Sequence, residues 1–336
     1  SSKNNTLRSK GSCGGLLAVA LLTLASFDPK VNAGQIWDGG GGNALWSTDA
    51  NWNPDGQPVY GTGIQFDGVV QTTATNDLAA ISIAGSGISF NPLAGAFTVD
   101  GNAIALTGGI TNNSASLQTI GFSSITLGAG QTWNSGLLPG GGLIVSSPVD
   151  LAGFSLAVDG TNNTTISGAI SDTGVGGSLV KNGAGTFTTS GASTYTGTTT
   201  VNTGILNVLG SHVGGGDYTI ATGATLSGTG VITEALNASI NENGAIIVGD
   251  ATLLIPVASN LSLATSGTGS IIMGAASTLA VDLFTGAGLG NNTLVLGASD
   301  TFTLGGNLNS VAGGTLVIGN PTGMTGFTGG DSWQVV

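Results

Sequence analysis

The chain has 336 residues, of which 61 are glycine and only 7% are charged, yet 40% are hydrophobic. That hydrophobic share excludes a disordered Gly-rich tail, and runs such as Ala251 to Leu261 lack the strict third-position glycine of collagen. Five bases and 17 acids are too few for a soluble helical protein, so the composition points to small and β-branched residues in short strands joined by glycine turns.

Four of the five bases, Lys3, Arg8, Lys10 and Lys30, lie at the start of the chain. Lys3, Arg8 and Lys10 read as the basic region of a secretory signal, Leu16 to Ala25 as its apolar region and Val31-Asn32-Ala33 as its cleavage site. Ten apolar residues are too few to cross about 30 Å of hydrocarbon as a helix, so residues 1–33 are expected to be a signal peptide and not an anchor. Cleavage after Ala33 removes the sole cysteine, Cys13, and leaves sixteen carboxylates against Lys181 alone, a net charge of −15. A chain with one base cannot neutralise phosphates, so neither nucleic acid nor an anionic membrane surface is expected as a partner. No membrane span is expected after cleavage.

Residues 34–75 hold three of the five tryptophans, Trp37, Trp46 and Trp52, and are expected to cap one end of the fold. The alternative use is stacking on a sugar ring. Asn51 to Gly56 has the oxygen spacing of the first half of a calcium loop, but Thr62 stands where the closing Glu belongs, so an Asx-rich turn is expected.

From residue 76 to 336, apolar residues stand two apart in very short runs: Ile81 and Ile83, Ile88 and Phe90, Phe97 and Val99, Ile104 and Leu106, Ile120 and Phe122, Ile125 and Leu127, Phe154 and Leu156, Leu206 and Val208, Tyr218 and Ile220. Spacing of two places both side chains on one face of a strand. Thr-Leu pairs ending at Leu226, Leu253, Leu279, Leu294, Leu304 and Leu316 recur at long gaps that suit whole coils and short gaps that suit faces within a coil. An all-β parallel solenoid follows, with like residues stacked in ladders and glycine at the corners. Asp67, Asp100, Asp159, Asp217 and Asp250 lie beside small or amide residues and read as turn residues.

Leu179-Val180-Lys181-Asn182-Gly183-Ala184-Gly185-Thr186-Phe187, continuing through Tyr195-Thr196-Gly197-Thr198-Thr199-Thr200-Val201-Asn202 to Asn207-Val208, closely resembles the autotransporter-associated β-strand repeat. Gly223 to Ile232 resembles the segment that commonly follows it, and Trp37 to Trp52 the start of many large exported bacterial surface proteins. The resemblance implies a right-handed parallel β-helix exposed outside the cell and does not imply an enzyme. The given residues show no run of ten-residue amphipathic strands with aromatic girdles, so a separate secretion route is expected.

Catalysis finds little to work with. Lyase chemistry on acidic sugars needs a base beside a cation, and after residue 33 there is no arginine. Ser-His-Asp chemistry could use only His212, which lies between glycines and reads as a solvated turn residue, and no Gly-x-Ser-x-Gly elbow is present. Catalytic, cofactor-binding and metal-binding residues are therefore expected to be none, and cofactors none. The expected function is an exported, non-catalytic structural or adhesive protein of the bacterial cell surface or extracellular matrix. Its expected partners are itself, by head-to-tail assembly into filaments, or surface glycans. A carbohydrate-binding or carbohydrate-degrading β-helix is the alternative, and an ice-binding solenoid would need a regular Thr-x-Thr face of which only the run near Thr198 is visible.

Overall fold

A computed structural model describes residues 34–250 apart from Ala80 and Leu137, and the strand segments Asn260–Ser266, Ser270–Met273, Thr278–Val281, Thr293–Leu296, Thr301–Leu304 and Asn307–Ser310. The expected signal at 1–33 and its cleavage site lie outside the described residues.

The chain is a parallel β-solenoid whose stacked coils form sheets of 17, 11 and 5 strands. Among the described residues there is no α-helix, only a single 3₁₀ turn at Asp49–Asn51. Each coil contributes one short strand to each of its faces, two of these faces being joined in the 17-stranded sheet over the earlier coils, because three to five alternating residues are followed at once by a turn. The 11-stranded sheet shows the stacking most simply: Ala74, Val99, Ile120, Val145, Ile166, Thr189 and Val208 are partners on successive strands. All of them are buried. The coil length varies from 19 residues, Thr189 to Val208, to 33 residues, Ile246 to Leu279. A period this loose is absorbed at the corners, since the ladders constrain only the strands.

The 17-stranded sheet has two parallel rows, bridged by the ten-residue strand Ile81–Phe90, whose first half pairs with Ile104–Leu106 and whose second half pairs with Ile110–Asn112. From Ala192–Ser193 onward the first row continues as the separate five-stranded sheet. Every alternating pair named from the sequence points inward except one. Phe154 precedes strand Ser155–Asp159 and is exposed, and the inward pair there is Leu156 and Val158. Leu279, Leu294 and Leu304 fall in the 11-, 5- and 17-stranded sheets respectively, which makes the short Thr-Leu gaps faces of a coil. Leu253 and Leu316 lie outside the described residues. Of the turn aspartates, Asp67, Asp217 and Asp250 lie outside strands, but Asp100 lies within Thr98–Gly101 and Asp159 closes Ser155–Asp159.

One corner shows why Asn and Gly recur. After the strand of the 17-stranded sheet, the N–H groups of Asn91, Asn113, Asn182, Asn202 and Asn243 donate to the carbonyls of Phe66, Phe90, Val158, Lys181 and Ile220 one coil earlier. The Asn202 amide also donates to Asn182 Oδ1 at 2.8 Å. At the next residue the backbones nearly touch: a Cβ on Gly183 would lie 2.1 Å from the Gly160 carbonyl oxygen, so no side chain fits.

The N-terminal segment closes the first coil. Strand Gln35–Trp37 pairs in parallel with Thr62–Phe66 and antiparallel with Trp52–Asn53, the one antiparallel strand pair among the described residues, while Leu45 bridges to Thr75 beside the 11-stranded sheet. Trp37, Trp46 and Trp52 are fully buried, with edge-to-face packing of Trp52 on both of the others at 5.1 and 5.7 Å. Trp46 also packs edge-on to Phe122. Asn51 ties the segment together, accepting from Gly41 N–H at 2.8 Å and donating to the carbonyls of Asn43 and Leu45. The residue that began the calcium-like spacing is thus a buried hub of hydrogen bonds.

Candidate functional site

Two inward rows that are aliphatic over most coils turn polar at one level. In one inward row Ile81, Ile104, Ile125, Val149 and Ile170 are succeeded by Ser193 and His212, after which Ile232 and Leu263 restore the pattern. In the facing row Leu156 and Leu179 give way to Thr199 and Tyr218 before Ile240 and Ile271. Both interruptions fall on the same two coils, so their polar groups meet. Tyr195, in the turn after Ser193, fills the space between them.

His212 is not a solvated turn residue. It lies in strand Ser211–Gly215, is 2% exposed, and stacks on the Tyr195 ring at 3.9 Å and 13°. Its burial follows from the inward row, and its ring is admitted because Gly215 has no side chain: a Cβ there would lie 2.1 Å from the ring. The Nε2 group lies 3.0 Å from the Tyr195 carbonyl, which can only accept, so Nε2 carries the proton and Nδ1 accepts from the Tyr218 hydroxyl at 2.8 Å. The Tyr195 hydroxyl lies 2.6 Å from Thr199 Oγ1 and 3.5 Å from the Tyr218 hydroxyl. A cavity of about 10 Å³, room for about one water, opens among Thr189, Ser193, Tyr195, His212 and Tyr218.

Burial governs the proton affinities. It lowers that of His212 below the ordinary value of 6.5, against the hydrogen bond to Tyr195. It pushes the Tyr195 phenol up to about 12 and holds the Tyr218 phenol well above its ordinary value. Glu234, 3% exposed with neither carboxyl oxygen hydrogen-bonded, is pushed up to about 8 by burial and then by the charge of Asp217. Glu242, fully buried, also rises to about 8 by burial, although Gly244 N–H donates to it at 2.6 Å. Lys181 occupies an inward position between Val158 and Val201, bonds through Nζ to the Gly183 and Thr203 carbonyls, and is brought down to about 8 by burial, opposed by Asp159.

Chemically, both imidazole nitrogens are committed, and Ser193 Oγ accepts from Ile170 N–H instead of meeting the ring. The partly exposed acids serve the corners. Asp172 accepts from the N–H groups of Gly153, Gly174 and Gly177 and from Thr196 Oγ1 at 2.6 to 3.2 Å, and Asp150 from Ala152 and Thr173. Among the described residues no group of three or more His, Cys, Asp or Glu could hold a metal ion, and no helix is long and apolar enough to cross a membrane. The Trp37, Trp46 and Trp52 faces are enclosed by the cap. Sequence reading singled out His212 but misplaced it, and it passed over Glu234 and Glu242.

No known family matches the chain, and neither a curated protein nor a solved structure is significantly similar to it.

Proposed function

We propose that the chain is an exported, non-catalytic structural or adhesive element of the bacterial cell surface or extracellular matrix, in which residues 179–208 form an autotransporter-associated repeat. The observation that carries this reading is the use to which the polar groups are put. The carboxylates of exposed Asp77 and of partly exposed Asp150 and Asp172 accept backbone and hydroxyl donors at corners, and His212 bonds only within the core. Such groups hold coils together and are not arranged around a substrate-sized cleft.

Contacts with other surfaces fall, in this reading, to exposed apolar side chains such as Tyr60, Val69, Leu93 and Val175. Self-association by strand addition is disfavoured at the N-terminal edge, where Trp52–Asn53 covers Gln35–Trp37. Ice binding is also less favoured, because the outward row Thr73, Thr98, Thr119, Ile144, Thr165 is interrupted and the position two residues after it reads Thr75, Asp100, Gly121, Ser146, Ser167.

The alternative, a carbohydrate-binding or carbohydrate-degrading solenoid, is separated by incubating purified protein with a panel of surface polysaccharides and reading both retention and release of new sugar ends. The absence of both retention and new ends supports the proposal, and retention without new ends supports the carbohydrate-binding alternative. Release of new ends that persists through purification contradicts it.

A further inference from the structure

The corner that leads from the second row of the 17-stranded sheet into the 11-stranded sheet changes character along the stack. In the first four coils it is long, residues 67–72, 91–97, 113–117 and 135–142, and it carries Val69, Val70, Leu93, Leu117 and Leu138, which are 42 to 79% exposed. In the next five coils, residues 160–163, 182–185, 202–204, 221–224 and 243–244, it is two to four residues long and holds nothing apolar larger than alanine. We propose that these five side chains form a pairing face for a second copy of this chain, docked side by side with its long axis reversed.

The backbone under this face is tied down. Consecutive corners touch: Gly95 N–H donates to the Gly68 carbonyl at 2.7 Å, a Cβ on Gly95 would lie 3.3 Å from Val69 Cγ1, and one on Gly142 would lie 3.1 Å from Leu117 Cδ1. Beneath the loops, Gln118 donates through Nε2 to the Gly95 carbonyl and to Ser114 Oγ, both at 2.9 Å. Asn112 donates through Nδ2 to the carbonyls of Ser116 and Gly142 at 2.9 and 3.0 Å. Asn112, Ser114 and Gln118 are all fully buried. The exposed side chains therefore stand on a fixed support and have little backbone freedom left to lose on docking.

Charge and spacing select the occupant. Corners 91–97, 113–117 and 135–142 contain no ionisable residue and corner 67–72 contains only Asp67, whereas the chain from Gly34 onward has a net charge of −15 and its one lysine, Lys181, is buried. A basic partner gains nothing on this face, and two acidic copies meet with least repulsion where neither presents charge. The apolar levels repeat at the coil rise of about 4.8 Å, and a second copy has the same rise, so the two match level for level over about 14 Å. Reversed axes set the first coil against the fourth and the second against the third, so that Leu93 of one copy meets Leu117 of the other and Asp67 faces the acid-free corner 135–142. Aligned axes would bring the two Asp67 carboxylates together. A strip of this length falls short of the roughly 800 Å² per partner of a standard interface, so pairing is weak, and salt strengthens it by screening the acids around it. This pairing goes beyond the surface reading above and stands without it.

Sedimentation equilibrium of the chain from Gly34 onward, the form that cleavage after Ala33 leaves, tests this at up to about 1 mM. The average mass is expected to rise from one copy toward two and no further, more steeply in about 0.5 M than in about 0.05 M salt. Leu93→Glu should weaken pairing at least about tenfold, and mixing it with Leu117→Lys chains should restore it. Val175→Glu, at an exposed site between the two rows of the 17-stranded sheet, should leave pairing unchanged. All three sites are exposed, so the variants keep the fold. A single copy at every concentration, a mass that grows past two copies, equal weakening by Leu93→Glu and Val175→Glu, or a mixture that stays unpaired would overturn the proposal.

Discussion

The imidazole of His212 lies flat on the phenol ring of Tyr195, 3.9 Å between centroids, in a row that most other coils fill with aliphatic side chains. A ring pair replaces aliphatic packing there, and the replacement makes this level of the core sensitive to acid. Protonated His212 would have to keep a charge where the Tyr218 hydroxyl already donates to Nδ1. Because burial lowers its proton affinity, its contribution is intact above 6.5 and lost as pH falls below that value. Substituting His212→Ile restores the row. The difference in thermal midpoint between the native chain and this variant should shrink or reverse from about pH 7 to about pH 5, and a constant difference would place the imidazole elsewhere.

Gly215 makes room for that ring. A Gly215→Ala methyl would fall 2.1 Å from His212 Cε1, so the imidazole must leave its place over Tyr195. The expected cost is about 2 kcal/mol or more, with loss of the His212 to Tyr218 hydrogen bond visible in the imidazole nitrogen shifts. In the background His212→Ala the same methyl should be tolerated far better, and equal costs in both backgrounds would disprove the contact.

Leu226 and Asp217 mark the two environments of a coil. Leu226 is fully buried between Leu206 and Ile246, whereas Asp217 is exposed and accepts from Ser239 N–H at 2.8 Å. Leu226→Asp should cost about 4 kcal/mol or more, and Asp217→Asn under about 1 kcal/mol because an amide oxygen still accepts. Denaturant midpoints that fall equally would contradict the inward placement of Leu226.

At the acid end a different group of residues takes over. Partial burial works against ionisation of Asp172, but its hydrogen bonds from Gly177, Thr196, Gly153 and Gly174 outweigh this and hold its proton affinity below the ordinary 3.8. Asp150 and Asp77 are depressed in the same way by their own donors. Their contribution is present above about 3.8 and is lost as pH falls through the lowered folded values. Asp172→Asn should therefore weaken the unfolding midpoint at neutral pH and reduce the further loss seen on acidification below about pH 4. An unchanged acid limb would show that this corner carries no such dependence.

The inward rows were legible in the sequence because alternation is local: Ile120 and Phe122, or Ile125 and Leu127, declare their face from five residues. The failures have a common cause. Phe154 obeys the spacing but stands in a turn, so its direction is set by the corner and not by the strand. His212 lies among glycines and looks solvated until the coils on either side, at Ser193 and Ile232, are stacked on it. Glu234 and Glu242 stand two residues after Ile232 and Ile240 on the inner face, but an acid reads as outward from sequence, and only register shows that Glu242 lies in the row of Ile220. Asn51 was visible as a turn-former, but its ties to Gly41, Asn43 and Leu45 depend on the fold of the cap. In a solenoid, what a residue packs against is decided about 20 residues away, and corners of unequal length conceal which residue that is.

The most direct test of the reading as an exported surface protein is labelling of intact and permeabilised source cells with an antibody raised against folded residues 34–250. The account predicts that intact cells label about as strongly as permeabilised ones and that brief protease treatment of intact cells removes the signal. Labelling that appears only after permeabilisation, and that survives the protease, would contradict it.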